Sequence, residues 1–120
     1  MVIPAWQGRV MTSSASGDEG DSFGWINYRF IDKGEISTQF NPVGGEERFW
    51  LGPEGGPFSL YFKGGQEQVY DNWVVPAVLD TEPFKVEAQN ESSIRFVKDT
   101  RLTNASGTTF DINIDRIVSL

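Results

Sequence analysis

The chain predicts a mostly-β fold, an antiparallel β-sandwich with few short helices, and three observations carry that expectation. Phe84, Val86 and Ala88 alternate with Lys85, Glu87 and Gln89; a polar turn follows at Asn90 to Ser93, and Ile94 and Phe96 then alternate with Arg95 and Val97. Period-two patterning on both sides of a turn is the mark of a hairpin. After a second turn, Asn104-Ala105-Ser106-Gly107, Phe110, Ile112 and Ile114 alternate with Asp111, Asn113 and Asp115, as in a strand with one buried and one wet face. Thirteen glycines and six prolines spread along 120 residues supply the turns that many short strands require. The length suits one domain, residues 1–120.

The remaining elements are read in chain order. Gln7 to Ser13 forms a first strand and ends in the acidic loop SSASGDEGDS, Ser13 to Ser22. Asp18, Glu19 and Asp21 in that loop do not reproduce the spacing of a calcium loop, so a solvated loop is expected. FGWINYRFI, Phe23 to Ile31, has aromatics at irregular spacing and is read as a short helix, although periodicity alone does not separate helix from strand there. Asp32-Lys33-Gly34 turns, and Glu35 to Phe40 is briefly extended. Glu46 to Gly52 forms a strand stopped by Gly52-Pro53 and Gly55-Gly56-Pro57, and Phe58 to Phe62 pairs as another. Gln66 to Pro83 is a long irregular connection, either functional or a lid packing Trp73 and Val75 over one end of the sandwich. The expected core is Phe49, Leu51, Phe58, Leu60, Phe84, Val86, Ile94, Phe96, Phe110, Ile112 and Ile114. At Ile117, Val118 and Leu120 both faces of the last strand become apolar. Open sheet edges and that apolar end predict self-association, as a dimer.

Composition narrows the chemistry. A net charge of −7 opposes nucleic-acid binding, which rests on Lys and Arg displacing counterions from phosphates. The absence of Cys and His removes thiol nucleophiles, thiolate metal sites and the commonest neutral-pH acid/base group. No catalytic residue, metal or cofactor is expected. No apolar run approaches the ~20 residues of a membrane span, and MVIPAWQGRV lacks a signal-peptide pattern. A cytoplasmic location is the default, with secretion or the periplasm left open. Asn90-Glu91-Ser92 and Asn104-Ala105-Ser106 match the glycosylation pattern but are read as turns.

Chemistry concentrates in GGEERFWLGPEGG, Gly44 to Gly56. If Glu46 to Gly52 is extended, Glu47, Phe49 and Leu51 point to one face and Glu46, Arg48 and Trp50 to the other. Carboxylates and a guanidinium hydrogen-bond hydroxyls, and an indole covers an apolar ring face, so the second face suits a sugar. Glu54, Asp71 and Trp73 are further candidates for that site. A second reading stays open beside it: Glu46 and Arg48 as a structural ion pair, with Trp50 as packing.

GGEERFWLGPEGGPFSLYF (Gly44 to Phe62), with WQGRVMTSSASG (Trp6 to Gly17), GWINYRFI (Gly24 to Ile31), DNWVVP (Asp71 to Pro76), DTEPF (Asp80 to Phe84) and LTNASGTTFDINIDR (Leu102 to Arg116), resembles an uncharacterised bacterial family within the galactose mutarotase-like, or aldose epimerase-like, superfamily. The resemblance implies a β super-sandwich whose concave face holds carbohydrate. It also implies that this chain matches only an N-proximal portion of such proteins, without the catalytic half. Three functions follow: a non-catalytic carbohydrate-binding module, a sugar-processing enzyme (aldose epimerase or glycoside-active), or a structural assembly module. The enzyme reading is disfavoured because the superfamily's His acid has no counterpart and adjacent strand residues Glu46 and Glu47 would face opposite ways.

Overall fold

The structure, a computed structural model, describes residues 1–120 with the exception of the Asp18 side chain, so that part of the acidic loop lies outside the described residues. Its elements are β1 (Val2–Ile3), β2 (Arg9–Val10), β3 (Ala15–Asp18), β4 (Trp25–Ile26), α1 (Tyr28–Ile31), β5 (Gly44–Gly45), α2 (Ala77–Asp80), β6 (Lys85–Gln89), β7 (Ser93–Thr103) and β8 (Thr109–Ser119). Seven of the strands pair, all antiparallel, as β1-β2, β4-β5 and β6-β7-β8. The fold is mostly β with two short helices, as the sequence predicts. No helix among the described residues is long and apolar enough to cross a membrane.

The alternating C-terminal third forms the broad sheet. Opposite residues share a face in an antiparallel pair, so the register that sets Ile94 against Val118, Phe96 against Arg116 and Lys98 against Ile114 gathers the apolar side chains on one face. The other face is wet, with Arg95 paired to Asp115 at 2.6 Å and Arg101 to Asp111 at 2.8 Å. On β6 the register shifts between Val86 and Ala88, and Ala88 then lies opposite Arg95. That bulge interrupts the alternation the sequence suggests, moving Ala88 to the wet face and leaving Val86 exposed. Both expected turns are closed by asparagine: Asn90 Oδ1 accepts from the Ser92 and Ser93 amides, and Asn104 Oδ1 accepts from the Thr108 amide.

The chain from Phe40 to Leu79 covers the apolar face, and it does so mainly with turns. Tyr61, Phe62, Val75, Val78 and Leu79 pack with Phe84, Phe96 and Ile114 into the core, and Phe49, Leu51, Leu60, Ile94 and Ile112 lie partly buried against it. Phe58 and Phe110 are exposed, unlike expected. Ser59, Tyr61 and Phe62 are the buried members of the Phe58 to Phe62 run, which forms no strand. Its backbone is tied instead by single bonds to separate segments, the Val74 amide to Tyr61 and the Ala105 amide to Ser59. Glu35 to Phe40 likewise forms no strand. Phe23 to Ile31, expected as one helix, divides into β4 and a helical turn that Asn27 caps through the Phe30 amide.

The N-terminal strand is shorter than Gln7 to Ser13. Gln7 and Gly8 adopt left-handed backbone, φ 61° and 66°, which reverses the chain between β1 and β2. Gly8 is required for a second reason: a Cβ there would lie 2.7 Å from the Phe96 ring. Arg116, across from Phe96, donates to the Gly8 carbonyl and pairs with Glu47, fastening this turn to the sheet.

Phe96→Ala is expected to cost about 3–5 kcal/mol, and Gly8→Ala about 1–3 kcal/mol from left-handed strain alone, with the ring clash added. Because the clash needs the ring, denaturant titration of the double variant should show less destabilisation than the two single losses combined. Strict additivity would mean that Gly8 and Phe96 do not pack together.

Candidate functional site

The glycines that open the charged segment are there because two strands press on it. Gly44 and Gly45 sit at φ 85° and 105°, where a side chain is strained. A Cβ at Gly44 would meet the Trp25 carbonyl at 2.1 Å, and one at Gly45 the Val10 carbonyl at 2.8 Å. β5 thus runs between β4 on one side and Val10 on the other, where Val10 also bridges to Glu47. The expected strand from Glu46 to Gly52 does not form: Glu47 makes only that single bridge, and no neighbouring backbone continues a ladder beyond it. Side chains hold the rest: Phe49 meets Phe84 edge-on at 5.8 Å, and Trp50 lies 5.2 Å from Tyr61.

Glu46 and Arg48 therefore do not form the expected pair. Glu46 turns towards the preceding loop, where its Oε1 accepts from the Ser13 amide, the Ser22 hydroxyl and the Phe23 amide. These bonds, led by the Ser22 hydroxyl, hold its carboxyl down at about 2. Arg48 turns towards α2. Its Nη2 donates to the Leu79 carbonyl at 2.6 Å and lies 3.6 Å from Asp80 Oδ1, close enough for charge attraction but beyond a hydrogen bond.

Asp80 is 6% exposed. Its Oδ2 accepts from both the backbone and the side-chain amide of Asn41, at 2.9 and 2.7 Å, while Oδ1 has no hydrogen-bond partner. Arg9, 3% exposed, donates through Nη1 to the Gly44 carbonyl at 2.9 Å, and its Nε is buried without a partner. Burial first, and then repulsion from Arg48, lower the Arg9 guanidinium to about 10 against the opposing pull of Asp80 and Glu47. Burial likewise lowers Arg48, with Asp80 opposing. One buried carboxylate thus lies beside Arg48, and its charge also acts on Arg9 without pairing with it.

An aromatic chain supports Arg48 from one side. Its guanidinium carbon lies 4.0 Å from the Trp50 ring centre and 5.3 Å from that of Phe40, within cation–π range. Tyr61 and Trp73 stack at 5.6 Å, and Trp73 and Tyr70 at 6.3 Å. Trp50 Nε1 donates to Glu54 at 2.8 Å. Of the residues expected at the site, Arg48, Trp50 and Glu54 form one connected group, and Trp73 joins it through Tyr61 and Phe40. Trp73 serves as packing, with neighbouring Val75 in the core, as the lid reading has it. Asp71 lies apart, on a larger cavity of about 440 Å³ beside Lys63 and Asn104.

Glu46 and Arg48 nevertheless meet on one surface. They line a cavity of about 270 Å³ together with Arg9, Glu47, Phe40 and the exposed Trp25. The sequence reading missed Arg9, Trp25 and Phe40. The signal that was available for Arg9 was weak, a lone arginine after Gln7-Gly8. A comparison with protein-family models matches residues 1–120 to a family of unknown function, DUF6786. The chain belongs to that family. Searches of curated proteins and of solved structures each found no match to this DUF6786 chain.

Two outcomes follow for this member of DUF6786. Asp80→Ala leaves Arg48 without its buried counter-charge and is expected to cost about 3–5 kcal/mol in chemical denaturation. The Glu46 carboxyl sits lower in the folded chain than its ordinary 4.5, so its contribution is present above that value and is lost as pH falls towards about 2. Glu46→Gln should flatten this part of the acid-side fall in melting temperature; an unchanged fall would show that Glu46 does not anchor the loop.

Proposed function

We propose that this chain is a non-catalytic carbohydrate-binding β domain whose site is the cavity between β4, β5 and Arg48. The observation that carries the reading is the lining itself: an exposed indole, Trp25, beside two guanidiniums and two carboxylates. Sugars present apolar ring faces and hydroxyls that both donate and accept, and this set offers a surface for the first and partners of both kinds for the second. A volume of about 270 Å³ lies just below the roughly 300–1,000 Å³ of drug-sized sites, which favours one monosaccharide unit. The resemblance to galactose mutarotase-like proteins supports the same ligand class. Trp50, first placed against the sugar, is assigned here to holding Arg48 from behind.

Catalysis is not proposed. Glu46 is engaged by three donors from the loop and Glu47 by Arg116, so neither carboxylate is poised as a free acid or base across a shared substrate.

A second reading, self-association, has its own observation. β8 carries an eleven-residue edge with no further strand beside it among the described residues, and Ile117 and Leu120 are exposed there. Such edges template pairing with another copy. Light scattering across a wide concentration range is expected to show a dimer that Ile117→Lys weakens; monomer mass throughout would end this reading.

For the binding reading, monosaccharide titration is expected to change tryptophan emission, and Trp25→Ala should abolish the change while leaving the melting temperature within about 1–2 °C, because an exposed side chain contributes little to stability. A response that survives Trp25→Ala would place the ligand elsewhere. No response to any of a broad glycan panel would end the carbohydrate reading.

A further inference from the structure

The geometry points to an acidic sugar as the ligand of this cavity, with the anionic group of a uronate or sugar phosphate seated between Arg9 and Arg48; the inference rests on the carbohydrate reading above. Arg9 is buried to within 3% of full exclusion from solvent, yet only one of its nitrogens, Nη1, has a hydrogen-bond partner among the described residues. Arg48 is in the same position, with Nη2 engaged and Nε buried and unpartnered. A guanidinium carries five N–H donors in a fixed fork. Two such forks line one cavity with most of their donors uncommitted.

The charges on the same lining decide what would satisfy those donors. Asp80 Oδ2 accepts two hydrogen bonds from Asn41, and Oδ1 approaches Arg48 only to 3.6 Å. Glu47 is held by Arg116, and Glu46 spends Oε1 on the Ser13 to Phe23 loop. The carboxylates therefore face other partners, while Arg9 and Arg48 share the lining and repel each other. An anionic oxygen group between them would accept paired N–H bonds and cancel that repulsion, which a neutral hydroxyl cannot do. Trp25 stands on the same lining to cover the ring that carries the group.

The test is titration of the intact chain, by tryptophan emission and calorimetry at fixed ionic strength, with galactose, galacturonate, galacturonate methyl ester and galactose 6-phosphate. Galacturonate, the sugar phosphate or both should bind about tenfold or more tightly than galactose, since charge-assisted bonds are roughly twice as strong as neutral ones. The methyl ester, equal in shape but uncharged, should fall back to the galactose level. Whichever acid is preferred identifies the anionic group. Arg9→Gln should bring the preference ratio to about one, whereas Phe58→Ala, an exposed change away from the lining, should keep it; where Arg9→Gln does not fold, the ester comparison on the unaltered chain decides alone. Equal affinity for all four ligands overturns the acidic-sugar inference and leaves the carbohydrate reading standing. Saturable stabilisation by acetate or inorganic phosphate with no response to any sugar keeps the anion subsite and overturns the carbohydrate reading. No response to any of these probes overturns both.

Discussion

Asp80 is the charge on which the irregular half of this protein depends. Sitting at the end of α2, it fixes Asn41 through two hydrogen bonds and attracts Arg48. The chain around residues 41 and 48 and the distant turn at residue 80 are thereby held at one point. None of them belongs to a long strand, so none has a backbone ladder to define its path. A buried carboxylate is costly unless its partners are in place, and this cost makes the arrangement specific: displacing any one segment strands a charge in the interior. The aromatic chain from Phe40 through Trp50, Tyr61 and Trp73 then fills the space around that point.

The same constraint makes the candidate site. Arg48 can stay rigid beside the cavity because Leu79 and Asp80 hold one edge of its guanidinium and Trp50 covers its face. Arg9 is rigid for a different reason, being buried in β2 where the left-handed Gln7-Gly8 turn sets it beneath β5. Preorganised donors of this kind lose little entropy when a ligand arrives. The structural role and the proposed binding role therefore do not compete at Arg48; the ion pair expected as an alternative to a site is also what positions the candidate site, with Asp80 in place of Glu46.

The broad sheet contributes in another way. Its apolar face supplies Phe96, against which Gly8 packs, and Arg116, which ties Glu47 and the Gly8 carbonyl to β8. The regular part of the fold is thus a platform, and the irregular part is positioned on it by a few polar contacts. Its wet face, crossed by Arg95–Asp115 and Arg101–Asp111 pairs, is solvated and contributes little net stability.

The sequence by itself determined the hairpin that begins at Lys85, the last strand, their two turns and the core-facing side at Ile94, Phe96, Ile112 and Ile114, because alternation at period two is a local property and needs no knowledge of the partner. It also marked Gly44 to Gly56 as the place where charge and aromatics concentrate. Only the tertiary structure decided what those residues touch. Past the two glycines of β5, threaded between the Trp25 and Val10 carbonyls, the segment is not a strand, because no neighbouring strand continues beside Arg48. Face assignments made from alternation fail there, which is why Glu46 and Arg48 part company and still share a cavity with Arg9, 37 residues before Glu46. The exposure of Phe58 and the burial of Tyr61 have the same origin. Where the backbone lacks a ladder, side-chain contacts between distant segments set direction, and a linear pattern does not record them.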